Sequence, residues 1–151
     1  MANHFNVRVY GVCRNERGEI LVADERIRGK LITKFPGGGL EFGEGTLECV
    51  KREFIEETGQ EVNVLRHFYT TDFFVASVFN SSSQVICIYY EVQFIKEPAF
   101  TASLKAYDFP EGTEDTLRFR WLKPGDAGSE AFTFPTDKRV AELIGQIPCS
   151  G

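Results

Sequence analysis

Short runs of alternating apolar and polar residues fill most of the chain, and two stretches change to a helical period. Phe5 to Cys13, with Val7, Val9 and Tyr10, predicts a first strand. Asn15-Glu16-Arg17-Gly18 predicts a turn, and Glu19 to Ala23 a returning strand, so the two are expected as a hairpin. Asp24 to Lys30 reads as a charged loop, and Leu31 to Phe35 as a short strand ending at Pro36. In the first helical stretch, Leu47, Val50 and Phe54 form an apolar stripe, Thr46 is the expected N-cap and Gly59 the expected stop. Glu61 to Leu65, Phe68 to Phe79 and Val85 to Ile95 follow as strands, the last two joined as a hairpin by the polar turn Asn80 to Ser83. Lys96 to Thr116 reads as mostly irregular, Leu117 to Leu122 as a strand and Lys123 to Phe134 as a loop with a short helical turn. Pro135 to Ile147 is the second helix, with Val140, Leu143, Ile144 and Ile147 on one side. Strands with two helices and mostly hairpin connections predict an α/β fold, a mixed sheet with helices packed on its faces. No repeat or linker divides the sequence, so residues 1–151 are expected as one domain.

The stretch from Pro36 to Gln60 changes that picture from architecture to chemistry. Pro36, Gly37, Gly38 and Gly39 lead through Gly43 and Gly45 into the helix, giving a chain capable of tight turns and close backbone approach. Glu53, Glu56 and Glu57 then stand at i, i+3 and i+4, which puts three carboxylates on one helical face. Like charges at that spacing destabilise a helix by themselves. A divalent cation would compensate them, and hard cations such as Mg²⁺ take oxygen ligands and retain waters that a phosphate can displace. An acid-rich helix face is more often simply solvated, here with Lys51 and Arg52 as ion-pair partners. Solvation alone does not account for Gly38, Glu44, Arg52 and Gly59 at their fixed distances from the acids.

Those distances are informative. Gly38, Glu44 and the run Arg52-Glu53-Phe54-Ile55-Glu56-Glu57-Thr58-Gly59-Gln60 resemble the Nudix box, G-x5-E-x7-R-E-apolar-x-E-E-x-G-aliphatic. Gln60 departs from the pattern at its last, packing position. The resemblance implies an αβα sandwich with a central mixed β-sheet flanked by helices, and a hydrolase of the MutT-like kind. The implied activity is cleavage of a nucleoside diphosphate linked to another group X, using Mg²⁺ (or Mn²⁺), by attack of a metal-activated water on phosphorus. It further implies Glu53, Glu56 and Glu57 as metal ligands, with a carbonyl of Gly37 or Gly38 completing the shell. Glu44 would support from outside, and Arg52 would orient the carboxylates. The family's general base is either a box glutamate, here Glu53 or Glu56, or a glutamate of a later loop. Glu111, Glu114 and Asp115 are the late candidates, and Glu114 is favoured. Lys34, Phe35, Gly37 and Gly39 are expected to contact substrate: Lys34 by steering an anion, Phe35 by stacking on a base.

Composition narrows the alternatives. The 151 residues carry a net charge of −5, which argues against nucleic-acid binding driven by phosphate neutralisation. Apolar runs are strand-sized and no signal pattern opens the chain, so neither a membrane span nor secretion is expected, and a cytoplasmic location is. Cys13, Cys49, Cys87 and Cys149 show no paired spacing and read as free thiols. Glu44 follows Gly43 where a P-loop would need lysine. Among Nudix subgroups, the ADP-ribose proline is absent, since the first proline after the box is Pro98, and Val75 to Val78 holds no diadenosine-polyphosphate tyrosine. A nucleoside triphosphate or a related nucleotide derivative is left as the expected substrate. Two other readings compete: a nucleotide- or sugar-phosphate-sensing module that binds without turnover, and isopentenyl diphosphate isomerase chemistry, which needs a reactive cysteine. Dimers are frequent among relatives, so a homodimer is an expectation from the resemblance.

Overall fold

The structure, a computed structural model, describes residues 3–111 and 116–147. The chain divides into two compact units: residues 1–13 with 36–100, and residues 14–35 with 101–151.

The first unit holds the strands β1 (His4–Cys13), β4 (Gly37–Gly39), β5 (Val62–Thr70) and β6 (Ser83–Phe94), and the helix α1 (Thr46–Thr58). Its sheet runs in the order β4-β1-β6-β5. β1 is parallel to β6 and antiparallel to β4, so the sheet is mixed. The helix stands on it through Val50 and Phe54, both fully buried. The Phe54 ring lies so close to Gly11 that a Cβ there would sit 2.4 Å from it. Only glycine in β1 lets the helix approach this far. Leu47, expected in the same stripe, is 49% exposed, and Cys49 and Thr58 take the buried positions instead. The helix stops at Gly59 in the left-handed conformation (φ 76°), as the sequence predicts. Its N-cap is Gly45, whose N–H donates to Glu48 Oε1 (3.2 Å). Thr46, the expected cap, instead shares a hydrogen bond with the Tyr90 hydroxyl (2.7 Å).

The second unit holds β2 (Ile20–Ile27), β3 (Lys30–Lys34), β7 (Ala102–Ser103), β8 (Leu117–Leu122), two 3₁₀ turns and α2 (Pro135–Gly145). Its sheet runs β3-β2-β8-β7, antiparallel except for β7 with β8. Thus the architecture is mixed α/β with two helices, as expected, but the strands are shared between two four-stranded mixed sheets.

Three local expectations are corrected. β1 and β2 do not form a hairpin. The turn at Asn15–Gly18 closes, with Gly18 N donating to Asn15 O (3.0 Å), but beyond one bridge from Arg14 to Ile20 the strands join different sheets. Asp24 to Lys30 is not a loop: β2 continues to Ile27 and turns on Arg28 (φ 51°) and Gly29 (φ 79°) into β3. Two consecutive positive φ values are what a two-residue hairpin with the right strand twist requires. The charges that disguise this strand are paired in the folded chain. Fully buried Asp24 accepts from Arg120 Nε (2.8 Å) and Nη2 (2.9 Å), Thr33 Oγ1 (2.7 Å) and Tyr107 N (3.1 Å). Finally, Phe68 to Phe79 is not one strand. β5 ends at Thr70, and residues after it leave Phe73 and Phe74 exposed.

Candidate active site

The glycine strand, its neighbour β1 and the acidic helix all belong to the first unit, so the box is assembled within it. β4 pairs with β1 in the register Arg8 with Gly39, Val9 with Gly38 and Tyr10 with Gly37. Antiparallel pairing fixes which way each box glycine faces. Gly38 faces α1, and the Glu53 carboxyl lies where its Cβ would be: a side chain at 38 would meet the Glu53 carboxyl at 2.6 Å. The sequence thus keeps position 38 bare so that a carboxylate can rest against strand backbone. Its side chain is only 13% exposed, whereas that of Glu56 is 57% exposed and Glu57 is half-buried.

Arg52 ties the acids together. Its Nε and Nη2 grip both oxygens of Glu44 (2.9 and 2.7 Å), a bidentate fork. Nη2 also donates to Gly39 O (3.1 Å). Nη1 donates to Glu53 Oε1 (3.0 Å) and Glu56 Oε2 (3.2 Å). One guanidinium therefore connects the loop, the glycine strand and two acids of the helix. Part of the compensation that the crowded carboxylates need comes from inside the chain, not from a bound cation. Surrounded by these acids, Arg52 is held more firmly protonated than usual by its hydrogen bonds to Glu44 and Glu53, despite the opposing effect of burial.

The same fork controls Glu44. Hydrogen bonds from Arg52, then from the Glu41 N–H, lower its carboxyl from 4.5 to about 2. A folded-state value below the unfolded one adds stability that is complete above about 4.5 and is lost as the pH falls toward about 2. Glu44→Gln is therefore expected to be less stable than wild type at neutral pH, with the gap closing toward pH 2. Urea unfolding across a pH series measures this, and a gap that stays constant with pH would detach the pair from acid unfolding.

Cys49 sits beside the network, donating to Gly39 O (3.6 Å). Burial first, and Glu44 second, push its thiol up to about 12. A thiol pushed up this way carries little thiolate at neutral pH, and nothing at Cys49 marks it as the reactive cysteine of isomerase chemistry. Cys13, Cys49 and Cys87 are buried and in no disulfide; Cys149 lies outside the described residues.

Lys34 and Phe35 are engaged within the second unit. Lys34 is buried in the second unit, its ammonium paired with Glu25 (3.2 Å), so it presents no open charge to an incoming anion. Phe35, expected to stack on a base, is fully buried and stacks on Phe132 (4.4 Å between centroids). Of the late-loop acids, Glu111 is exposed, and Glu114 and Asp115 lie outside the described residues.

Carboxylates and backbone carbonyls are the oxygen donors that a hard divalent cation takes, and the Glu53 carboxylate rests against the backbone of β4. The bare backbone at Gly38 gives one of those carboxylates its place. Among the described residues, no three acidic, histidine or cysteine side chains converge on one point, and Glu53 and Glu56 are both engaged by Arg52.

Comparison with known proteins bears on this geometry. The family model of the NUDIX domain matches residues 4–143. A NUDIX hydrolase from Nitrosomonas europaea is similar over 91% of this chain and 86% of its own, with 21% identity and a TM-score of 0.66. The MutT protein from Methanosarcina mazei Go1 is similar over 95% and 94%, with 21% identity and a TM-score of 0.65. A UDP-X diphosphatase is similar over 93% of this chain and 63% of its own, with 19% identity and a TM-score of 0.59. At such identities the solved structures establish the fold. Comparison with curated proteins gives no match. Because the family model runs through both units and includes the whole glycine-to-Gly59 box, the chain belongs to the Nudix family and is a Nudix hydrolase, acting on phosphoanhydride bonds.

Proposed function

We propose that this protein is a Mg²⁺-dependent pyrophosphohydrolase that cleaves a nucleoside diphosphate linked to X, with a nucleoside triphosphate or a related nucleotide derivative as substrate. The observation that carries the reading is the Glu53 carboxylate resting on Gly38, with Glu56 and Glu57 on the same face of α1. Nudix hydrolases generally use a divalent metal. Here Glu53, Glu56 and Glu57, with a carbonyl of Gly37 or Gly38, would hold it. When bound, such an ion offsets charge on the phosphates and makes water a stronger nucleophile.

The chain's own residues then have separable tasks. Arg52 sets the orientation of Glu53 and Glu56 and anchors them to the loop through Glu44. Glu44 stays ionised because of Arg52, so the fork persists across the physiological range. Glu56, more exposed than Glu44 and Glu53, is the box carboxylate most open to an incoming water and is assigned the role of general base. Gly39, the least buried residue of β4, would let substrate approach the backbone, whereas Gly37, also expected to contact substrate, is packed against Val9 and Tyr10.

Incubating the protein with a panel of nucleotides and Mg²⁺, and measuring orthophosphate before and after added phosphatase, tests the reading. Orthophosphate that appears only after phosphatase is the expected result for a diphosphate conjugate, and inorganic pyrophosphate is the expected product from triphosphates. Binding without products would overturn it in favour of a sensor.

A further inference from the structure

An arginine in the middle of an apolar strand points to a binding role. Arg8 lies between Val7 and Val9 in β1, directly opposite Gly39 of the glycine strand. Its side chain is part-buried and oriented: Nε donates to the Tyr10 hydroxyl (2.6 Å), and the Tyr10 ring stacks on buried Tyr89 (5.4 Å). The guanidinium carbon stands 5.8 Å from the Tyr10 ring centroid, within cation–π range. Nη1 reaches the backbone of the box, 3.6 Å from where a Cβ on Gly39 would be. Among the described residues, the hydrogen bonds and ion pairs of Arg8 end at Tyr10, leaving Nη1 and Nη2 open. Burial weakens its charge, but Tyr10, Cys87 and Glu53 together more than restore it.

A permanently charged fork, fixed in direction and partly desolvated, needs an acceptor for its outer edge. Tyr10 fixes the Nε side, so the open edge is the pair Nη1 and Nη2. That edge matches two non-bridging oxygens of one phosphate. Alternation along the strands puts Gly38 on the face of the sheet toward α1 and Glu53, and Arg8 with Gly39 on the opposite face; Glu53 is still near enough to help hold the guanidinium charged.

We propose that Arg8 is a substrate-binding residue whose Nη1–Nη2 edge takes one phosphate group of the nucleotide substrate. This rests on the pyrophosphohydrolase reading above. Arg8→Gln and Arg8→Lys are compared with wild type in two measurements. In steady-state turnover of a nucleotide that wild type cleaves, Arg8→Gln is expected to raise KM roughly 10- to 100-fold, the worth of hydrogen bonds between charged groups, with kcat within about threefold. Arg8→Lys should recover part of the loss, since it restores the charge without the fork. In calorimetric titration of the metal-free protein with inorganic pyrophosphate, Arg8→Gln should lose affinity by a similar factor, while weak binding of a neutral nucleoside is unchanged. Unaltered KM and pyrophosphate affinity would overturn the proposal, as would an equal loss for the neutral nucleoside, which would place a base edge at Arg8. The pyrophosphate titration does not depend on turnover, so it judges Arg8 even where no nucleotide in the panel is cleaved. If Arg8→Gln does not fold, a pyrophosphate affinity in Arg8→Lys equal to that of wild type would count against the fork.

Discussion

Glu56→Gln is expected to lower kcat by roughly 10²–10⁴ while the protein folds as wild type does, the range for losing a positioned acid–base or metal-binding carboxylate. The size of the activity loss and the smallness of the stability loss have the same structural source. Glu56 is 57% exposed and its contact in the folded chain is the bond to Arg52 Nη1 (3.2 Å). An exposed pair of this kind contributes at most about 1 kcal/mol. Arg52 keeps Glu44, Glu53 and Gly39 when Glu56 is changed, so the clamp survives. Glutamine preserves the shape and removes the negative charge and the ability to take a proton. Turnover with saturating Mg²⁺, beside a thermal unfolding curve, reads both quantities. Near-wild-type kcat would remove this carboxylate from the mechanism. The same substitution at Glu53 carries a second effect, because its carboxyl lies against Gly38 and is mostly buried. For that reason Glu56 gives the cleaner test of chemistry.

Asp24→Asn is expected to cost stability and not chemistry directly, by roughly 3–5 kcal/mol, as when one partner of a buried ion pair is removed. Asp24 is 0% exposed and both of its oxygens accept only from donors: Arg120 Nε and Nη2, Thr33 Oγ1 and the Tyr107 N–H. An asparagine must turn its NH₂ toward one side of that ring of donors, placing donor against donor. Arg120, whose side chain is 16% exposed, loses its opposing charge at the same time. Tyr107 is affected too. It is a non-glycine residue at φ 54°, a backbone region that costs energy unless its surroundings fix it. Its N–H bond to Asp24 and the hydrogen bond between its hydroxyl and Thr33 Oγ1 (2.9 Å) are what fix it. For a chain of this length a loss of this size corresponds to a melting temperature lower by about 10 °C. Chemical denaturation gives the free energy, and a change under 1 kcal/mol would show that the network is not structural.

The sequence made the acidic helix legible because helical neighbours are local. Residues three and four apart share a face whatever the rest of the chain does. The stop at Gly59 was legible for the same reason, since a left-handed residue is a local demand. Strand partners were not. Nothing in the turn Asn15–Gly18 reveals that the strands on either side enter different sheets, because a strand's edge can pair with any other edge of compatible pattern. The β2–β3 hairpin was hidden by its charges: a run with Asp24, Glu25 and Arg26 looks like a loop until Arg120 and Thr33 are placed beside it. Arg8 was missed because one charge between valines carries no spacing signal. The expected roles of Lys34 and Phe35 came from their closeness to Pro36 along the chain; in the folded chain both are buried, Lys34 paired with Glu25 and Phe35 stacked on Phe132.

By itself, then, the amino-acid order determined which groups the proposed chemistry draws on: the bare glycines, three carboxylates on one face of a helix, and an arginine beside them. Folding decided how those groups are held. It set Glu53 against Gly38, joined Arg52 by hydrogen bonds to Glu44, Glu53, Glu56 and the Gly39 carbonyl, and placed Arg8 opposite Gly39 with its Nε held by Tyr10. The division follows from range. Periodicity along one helix acts over a few residues, whereas ion pairs and strand registers join residues far apart in the chain, and only the packed structure brings them within reach.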